Sequence, residues 1–170
     1  IGRLLAVRAM ACGMHIAIHD PILTQTASEI ETLQAKWLPF ESLLAAADVV
    51  SCHVPLTADT HHLFDYGQFA AMRPTGFFIN TSRGGVVCET GLARALQEGR
   101  LAGAALDVRE TEPPTKGALE GHENVILTPH IGAFTEAAQQ RVVEAVARDV
   151  QRVLTGQPAT EYVNFDRPRR

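Results

Sequence analysis

Three residues of this chain form, by type, a set able to anchor and protonate a carbonyl compound while a hydride donor reduces it: Arg83, Glu112 and His130. Arg83 stands in N-T-S-R-G-G at 80–85, directly behind the apolar run Phe77-Phe78-Ile79. Its planar guanidinium can fork onto a carboxylate with two parallel hydrogen bonds. Glu112 precedes Pro113-Pro114, and His130 follows Pro129. A carboxylate beside an imidazole favours the protonated ring near neutral pH, so such a pair can hold and hand over a proton. Together the three supply a carboxylate anchor, an acid and a partner that tunes it. Taken singly, each has a plainer reading: a surface-turn arginine, a solvated loop charge, a structural histidine. The histidines at 15, 19, 61, 62 and 122 show no metal-ligand spacing, and no metal is expected.

The surrounding pattern says what must position these groups. Short apolar runs expected as strands cover 15–19, 49–54, 77–80, 103–108 and 124–128, with 36–40 as an edge strand. Helices are expected at 3–12 (stopped by Gly13), 41–47, 66–72 and 89–98, and from Thr135, the N-cap, to Leu154, with a helical turn within 27–36. The alternation predicts βαβ units: an α/β fold with a parallel sheet covered by helices. Several expected strands end on a polar group, namely Asp20, His53, Asn80, Asp107 and His130. In a parallel sheet these ends share one edge, where open α/β sheets bind ligands. Asp20 lies 18 residues after Gly2. In a dinucleotide-binding fold an acid there accepts from the ribose hydroxyls and repels a 2′-phosphate, which favours NAD over NADP. It reads equally as the first half of an Asp-Pro turn.

With 170 residues the chain can bury the core of one domain. A net charge of −4 without a basic face argues against nucleic acid as a partner. No apolar run reaches the roughly 18 residues of a membrane span. Cys12, Cys52 and Cys88 have no CxxC spacing, which fits a reducing cytoplasm rather than a disulfide framework. Cys12 and Cys52 lie in apolar segments and are expected in the core.

In order along the chain, I-G-R at 1–3, D-P at 20–21, H-V-P-L-T-A-D-T at 53–60 and N-T-S-R-G-G at 80–85 lead to A-L-D-V at 105–108, E-P-P at 112–114 and N-V-I-L-T-P-H-I-G-A at 124–133. This series resembles the NAD-binding domain of the D-isomer-specific 2-hydroxyacid dehydrogenases, a family that includes phosphoglycerate, glycerate and D-lactate dehydrogenases. The resemblance implies a doubly wound, Rossmann-like parallel sheet. It implies NAD as cofactor, a small 2-oxo or 2-hydroxy acid as substrate, and a homodimer. Arg83 would bind the substrate carboxylate and carbonyl, His130 would be the acid/base, and Glu112 would hydrogen-bond His130. For the cofactor, Ile1 and Gly2 would be what remains of the phosphate loop, and Asp20 would take the adenosine ribose. His53, Val54, Pro55 and Thr60 would line it, with Thr81, Ser82 and Arg83 beside the nicotinamide and its ribose. Asp107 would bind the carboxamide, and His130 and Gly132 would lie near the ring.

The family's first strand, the first two glycines of its phosphate loop and its substrate lobe have no counterpart in these residues. The expectation is therefore a truncated NAD-binding domain over 1–155, a segment 156–170 that would return to the lobe, and little or no activity for the chain alone. Without the first strand, the strand before Asp20 has no neighbour joining it to the later strands. Arg109 stands where an aromatic is common in the family. A non-catalytic, NAD-sensing corepressor-like member is the alternative reading.

Overall fold

The computed structural model describes residues 1–23 and 28–160. The chain divides into two compact units, Ile1–Pro129 and His130–Arg170. The first contains α1 (Gly2–Ala11), β1 (Ala17–Ile18), α2 (Ser28–Thr32), β2 (Lys36–Trp37), α3 (Phe40–Ala46), β3 (Val49–Cys52), α4 (Tyr66–Ala70), β4 (Phe77–Asn80), α5 (Glu89–Gln97), β5 (Gly103–Leu106) and β6 (Val125–Leu127). The second contains α6 (Glu136–Leu154), described onward to Thr160. The tail Arg167–Arg170 and most of the expected return segment lie outside the described residues.

All strand pairs are parallel, and they form two separate sheets, β1–β2 and β3–β4–β5–β6. Among the described residues β1 and β2 pair with each other and with no strand of the larger sheet. In the larger sheet Val50, Phe78 and Ala104 lie side by side, followed by Cys52, Asn80 and Leu106, and this face is buried. Leu44 of α3, Phe69 of α4 and Leu92, Ala95 and Leu96 of α5 complete the core on it. The apolar stripe of α5 faces the sheet because its alanines and leucines recur at helical spacing. On the opposite face Val49, Phe77 and Ile126 stay exposed, although parallel sheets are usually covered on both sides.

Local chemistry sets the ends of the elements. Asp65 caps α4 by accepting from Tyr66 N at 2.7 Å, in a capping box with Gln68. Thr135 caps α6, its hydroxyl accepting from Ala138 N at 3.2 Å. Gly13 ends α1 with φ +80°, a left-handed stop that costs glycine little. One expectation fails: Cys12 is exposed, not core. α1 buries none of its residues, because its apolar side chains are spread around the helix rather than gathered in one stripe. Cys52 is buried in β3 as expected. No helix among the described residues is long and apolar enough to cross a membrane.

Candidate functional site

β3, β4 and β5 end together in register, with Cys52 beside Asn80 and Asn80 beside Leu106. His53, Asn80 and Asp107 therefore share one edge, and Thr128 joins them after β6. Asp20 follows β1 in the smaller sheet and His130 opens the second unit, so three of the five polar strand ends fall on the edge of one sheet.

Asn80 shapes the turn that carries Arg83. It is fully buried, and its amide ties three atoms of the turn together. Nδ2 donates to Arg83 O at 3.0 Å, and Oδ1 accepts from Ser82 N at 2.9 Å and Ser82 Oγ at 2.8 Å. A buried amide earns its place only by satisfying such groups. Arg83 is exposed, its Nη1 donating to Ser82 O at 2.7 Å, and it pairs with no carboxylate among the described residues. The chain then makes a 3-10 turn over Gly84–Val86, pinned by the buried Val86 and Val87. Gly84 is there for space. A Cβ on it would lie 1.7 Å from Arg109 O and 2.0 Å from Arg109 C.

That contact brings the Arg83 turn against the segment 107–112. Asp107 is buried, donates its N–H to Asn80 O at 3.0 Å and accepts from Thr128 Oγ1 at 2.5 Å. Arg109 N donates to Glu112 Oε1 at 3.0 Å. The Arg109 side chain turns inward, with Nε and Nη2 on the two oxygens of Glu89 at 2.9 and 2.8 Å and Nη1 on Glu120 Oε1 at 2.8 Å. Glu89 above all, and then Glu120, hold the guanidinium more firmly protonated than usual despite its burial. Burial pushes the Glu89 carboxyl up, and hydrogen bonds from Arg109 and the Glu110 backbone outweigh it, so the net direction is down. Glu110 Oε1 meets His62 Nε2 at 2.7 Å, and Glu110 N donates to Glu89 Oε1 at 2.7 Å. The irregular run before Pro113 and Pro114 is thus stapled to the start of α5 by side chains.

The expected cofactor residues are spread over both units. Asp20 Oδ1 accepts from Ile22 N at 2.9 Å, while its Oδ2 has no partner among the described residues. A half-buried carboxylate with one open oxygen suits a ribose diol. Gly2 packs on His53, where a Cβ would stand 3.3 Å from Cδ2. His53 Nε2 lies 3.0 Å from Ser51 Oγ, and burial pushes its pKa down, favouring the neutral ring. Val54 packs against the core, and Pro55 and Thr81 are exposed. The Thr60 hydroxyl braces its own loop, donating to Pro55 O at 2.6 Å and accepting from Thr57 N at 2.8 Å. Ser82 Oγ lies 3.5 Å from Cys52 Sγ. Ile1 is exposed. In the second unit His130 and Gly132 are exposed, and His130 holds φ +54°. A non-glycine residue in that region is uncommon, and such backbone clusters at functional positions. Among the described residues no group of three His, Cys, Asp or Glu is placed to hold a metal ion.

Sequence reasoning missed three residues of this site. Asn80 reads only as a polar strand end, Gly84 cannot be told from Gly85 by pattern, and Arg109 reads as a departure from the family. For Arg109 the available signal was an acid at the start of α5, Glu89, and a second at Glu120.

Residues 1–132 match the family described as D-isomer specific 2-hydroxyacid dehydrogenase, NAD binding domain. The chain is 40% identical over 166 residues to a glyoxylate reductase of Thermococcus litoralis, covering 98% of this chain and 50% of that protein. It is 38% identical over 165 residues to a D-3-phosphoglycerate dehydrogenase of Bacillus subtilis, covering 97% of this chain and 31% of that protein. Among solved structures, the holo form of the D-mandelate dehydrogenase of Rhodotorula graminis superposes with a TM-score of 0.87 at 31% identity, covering 98% of this chain and 49% of that one. The chain thus spans half or less of these relatives. The cofactor of the matched domain is NAD, and the open oxygen of Asp20 and the hydroxyls and carboxylate at the strand ends fit it. The chain belongs to the D-isomer-specific 2-hydroxyacid dehydrogenase family, its residues 1–132 matching the NAD-binding domain.

Proposed function

We propose that the protein carrying this chain is an NAD-dependent oxidoreductase acting at C2 of a D-2-hydroxy acid or its 2-oxo counterpart. The observation that carries the reading is the contact of Gly84 with the Arg109 backbone. It sets the exposed guanidinium of Arg83 and the Glu112 loop on neighbouring segments of one unit. NAD, when bound, supplies the hydride acceptor or, reduced, the hydride donor.

The chain's own residues do the rest. The Arg83 fork binds the substrate carboxylate and turns the carbonyl toward the nicotinamide pocket. His130 gives a proton to the carbonyl oxygen in reduction and takes it from the hydroxyl in oxidation. By the resemblance, Glu112 is the carboxylate partner of the acid/base. Asp20 binds the adenosine ribose, and Asp107, held by Thr128, takes the carboxamide.

The test uses the intact protein and a panel of 2-oxo acids with NADH. Arg83→Ala should raise KM for every substrate while the NADH dissociation constant stays put, and His130→Ala should abolish the rate near neutral pH. Near-normal turnover in either variant would overturn that residue's role. NADH binding without turnover of any 2-oxo acid would favour the corepressor-like alternative.

A further inference from the structure

Arg109 is buried, with 7% of its surface exposed, and all three nitrogens of its guanidinium donate to carboxylates. Those carboxylates belong to different parts of the chain. Glu89 is the first residue of α5, and Glu120 lies beyond the prolines, where it also accepts from Gly117 N at 2.8 Å. One side chain therefore fixes both ends of the irregular run 109–120 to a helix. Its main chain does two further things. The N–H of Arg109 donates to Glu112 Oε1, and its C=O is the surface against which Gly84 packs. Beside the clamp, Glu110 Oε1 lies 2.7 Å from His62 Nε2, and Glu110 Oε2 also accepts from Glu89 N at 3.3 Å.

We propose that Arg109 is a positioning residue for the reaction: its clamp on Glu89 and Glu120 holds one peptide that sets the Glu112 carboxylate relative to the Arg83 turn. The inference rests on the reading of Arg83 and Glu112 given above. A bidentate guanidinium suits this task, because a planar fork fixes direction as well as distance. Buried ion pairs, by contrast, often add little net stability over a neutral replacement. A purely stabilising role and a positioning role therefore separate in kinetics.

The experiment compares the intact wild-type protein with a triple variant, Arg109→Met, Glu89→Gln and Glu120→Gln, which removes the clamp without leaving unpaired buried charges. The proposal expects an NADH dissociation constant within about twofold of wild type, with kcat for the 2-oxo acid lowered about 10- to 100-fold, as misplacement of order 1 Å produces. It also expects the alkaline limb of the rate to shift. Wild-type kcat with a wild-type pH profile would overturn it. Arg109→Lys keeps the charge but not the fork, so partial rescue supports positioning and full rescue refutes it. Should the triple variant fail to fold, Glu120→Gln on the solvent side of the clamp should lower kcat by about threefold, and no change there refutes the proposal. Glu112→Gln, run in parallel, separates the two levels. If it leaves kcat and pH profile untouched, the assignment of Glu112 falls. If it alters them while the triple variant does not, only the role of Arg109 falls.

Discussion

Replacing Gly84 with alanine should damage this protein far more than the same change at Gly85, one residue on. The new Cβ of Gly84→Ala would lie 1.7 Å from Arg109 O, 2.0 Å from Arg109 C and 2.6 Å from Glu110 N. All three are backbone atoms, so no rotamer change relieves the overlap. To reach ordinary contact beyond 3.4 Å, the turn and the 109–110 peptide must part by well over 1 Å. Overpacking of a forgiving site costs about 1–3 kcal/mol. Here the movement also strains the bonds from Arg109 N to Glu112 and from Glu110 N to Glu89. The expected loss is about 3–5 kcal/mol, a large part of a typical ~5–15 kcal/mol stability. At Gly85 the added Cβ would crowd Leu56 Cδ2 at 3.1 Å and Cδ1 at 3.3 Å, with His61 Cδ2 at an ordinary 3.8 Å. Leu56 is 46% exposed and can swing aside, so Gly85→Ala should cost no more than about 0.5 kcal/mol. Urea unfolding followed by far-UV circular dichroism reads both changes as midpoint shifts at constant slope. In the intact protein, Gly84→Ala under stabilising conditions should also lose about 10²-fold in kcat/KM. Equal midpoints for the two variants would refute the close-approach account of this glycine pair.

Asn80→Ala removes three hydrogen bonds and should cost about 2–4 kcal/mol, read as a urea midpoint shift. A shift under 0.5 kcal/mol, on the order of a surface change, would show that water replaces the amide without loss. Glu89 has a folded pKa below its ordinary 4.5, so its stabilising contribution is complete above 4.5 and is lost as pH falls through the folded value. Wild type should therefore lose stability below that pH more steeply than Glu89→Gln, and parallel curves would contradict the clamp. Asp20→Ala should narrow the preference for NADH over NADPH in fluorescence titrations. An unaltered ratio would remove Asp20 from the ribose site.

Much of the fold was legible because local rules and the tertiary outcome agree. β3, β4 and β5 are short apolar runs with polar ends, and Thr135 announces α6 by its capping chemistry. The motif residues Arg83 and Glu112 were legible as types in order. What could not be read depends on partners distant in sequence. Glu89 lies 20 residues from Arg109, and the space that makes Gly84 necessary is closed by a peptide 25 residues further on. Cys12 lies in an apolar segment that is nonetheless exposed, because α1 has no single apolar face.

The separation of β1–β2 from the larger sheet has a consequence for spectroscopy. Trp37, the only tryptophan in the chain, lies in β2. Its ring stands 5.8 Å from that of His19, and the smaller sheet reaches the main core through His19 against Phe40 and Phe40 against Phe64, each at 5.5 Å. Isolated two-stranded pairing is marginal in stability, and such units open at lower free energy than the core. In this 170-residue chain, intrinsic fluorescence will therefore follow the opening of a two-strand annex, while dichroism follows the helices and the four-strand sheet. The two melting curves will separate, and a stability quoted from emission alone will describe the wrong part of the molecule.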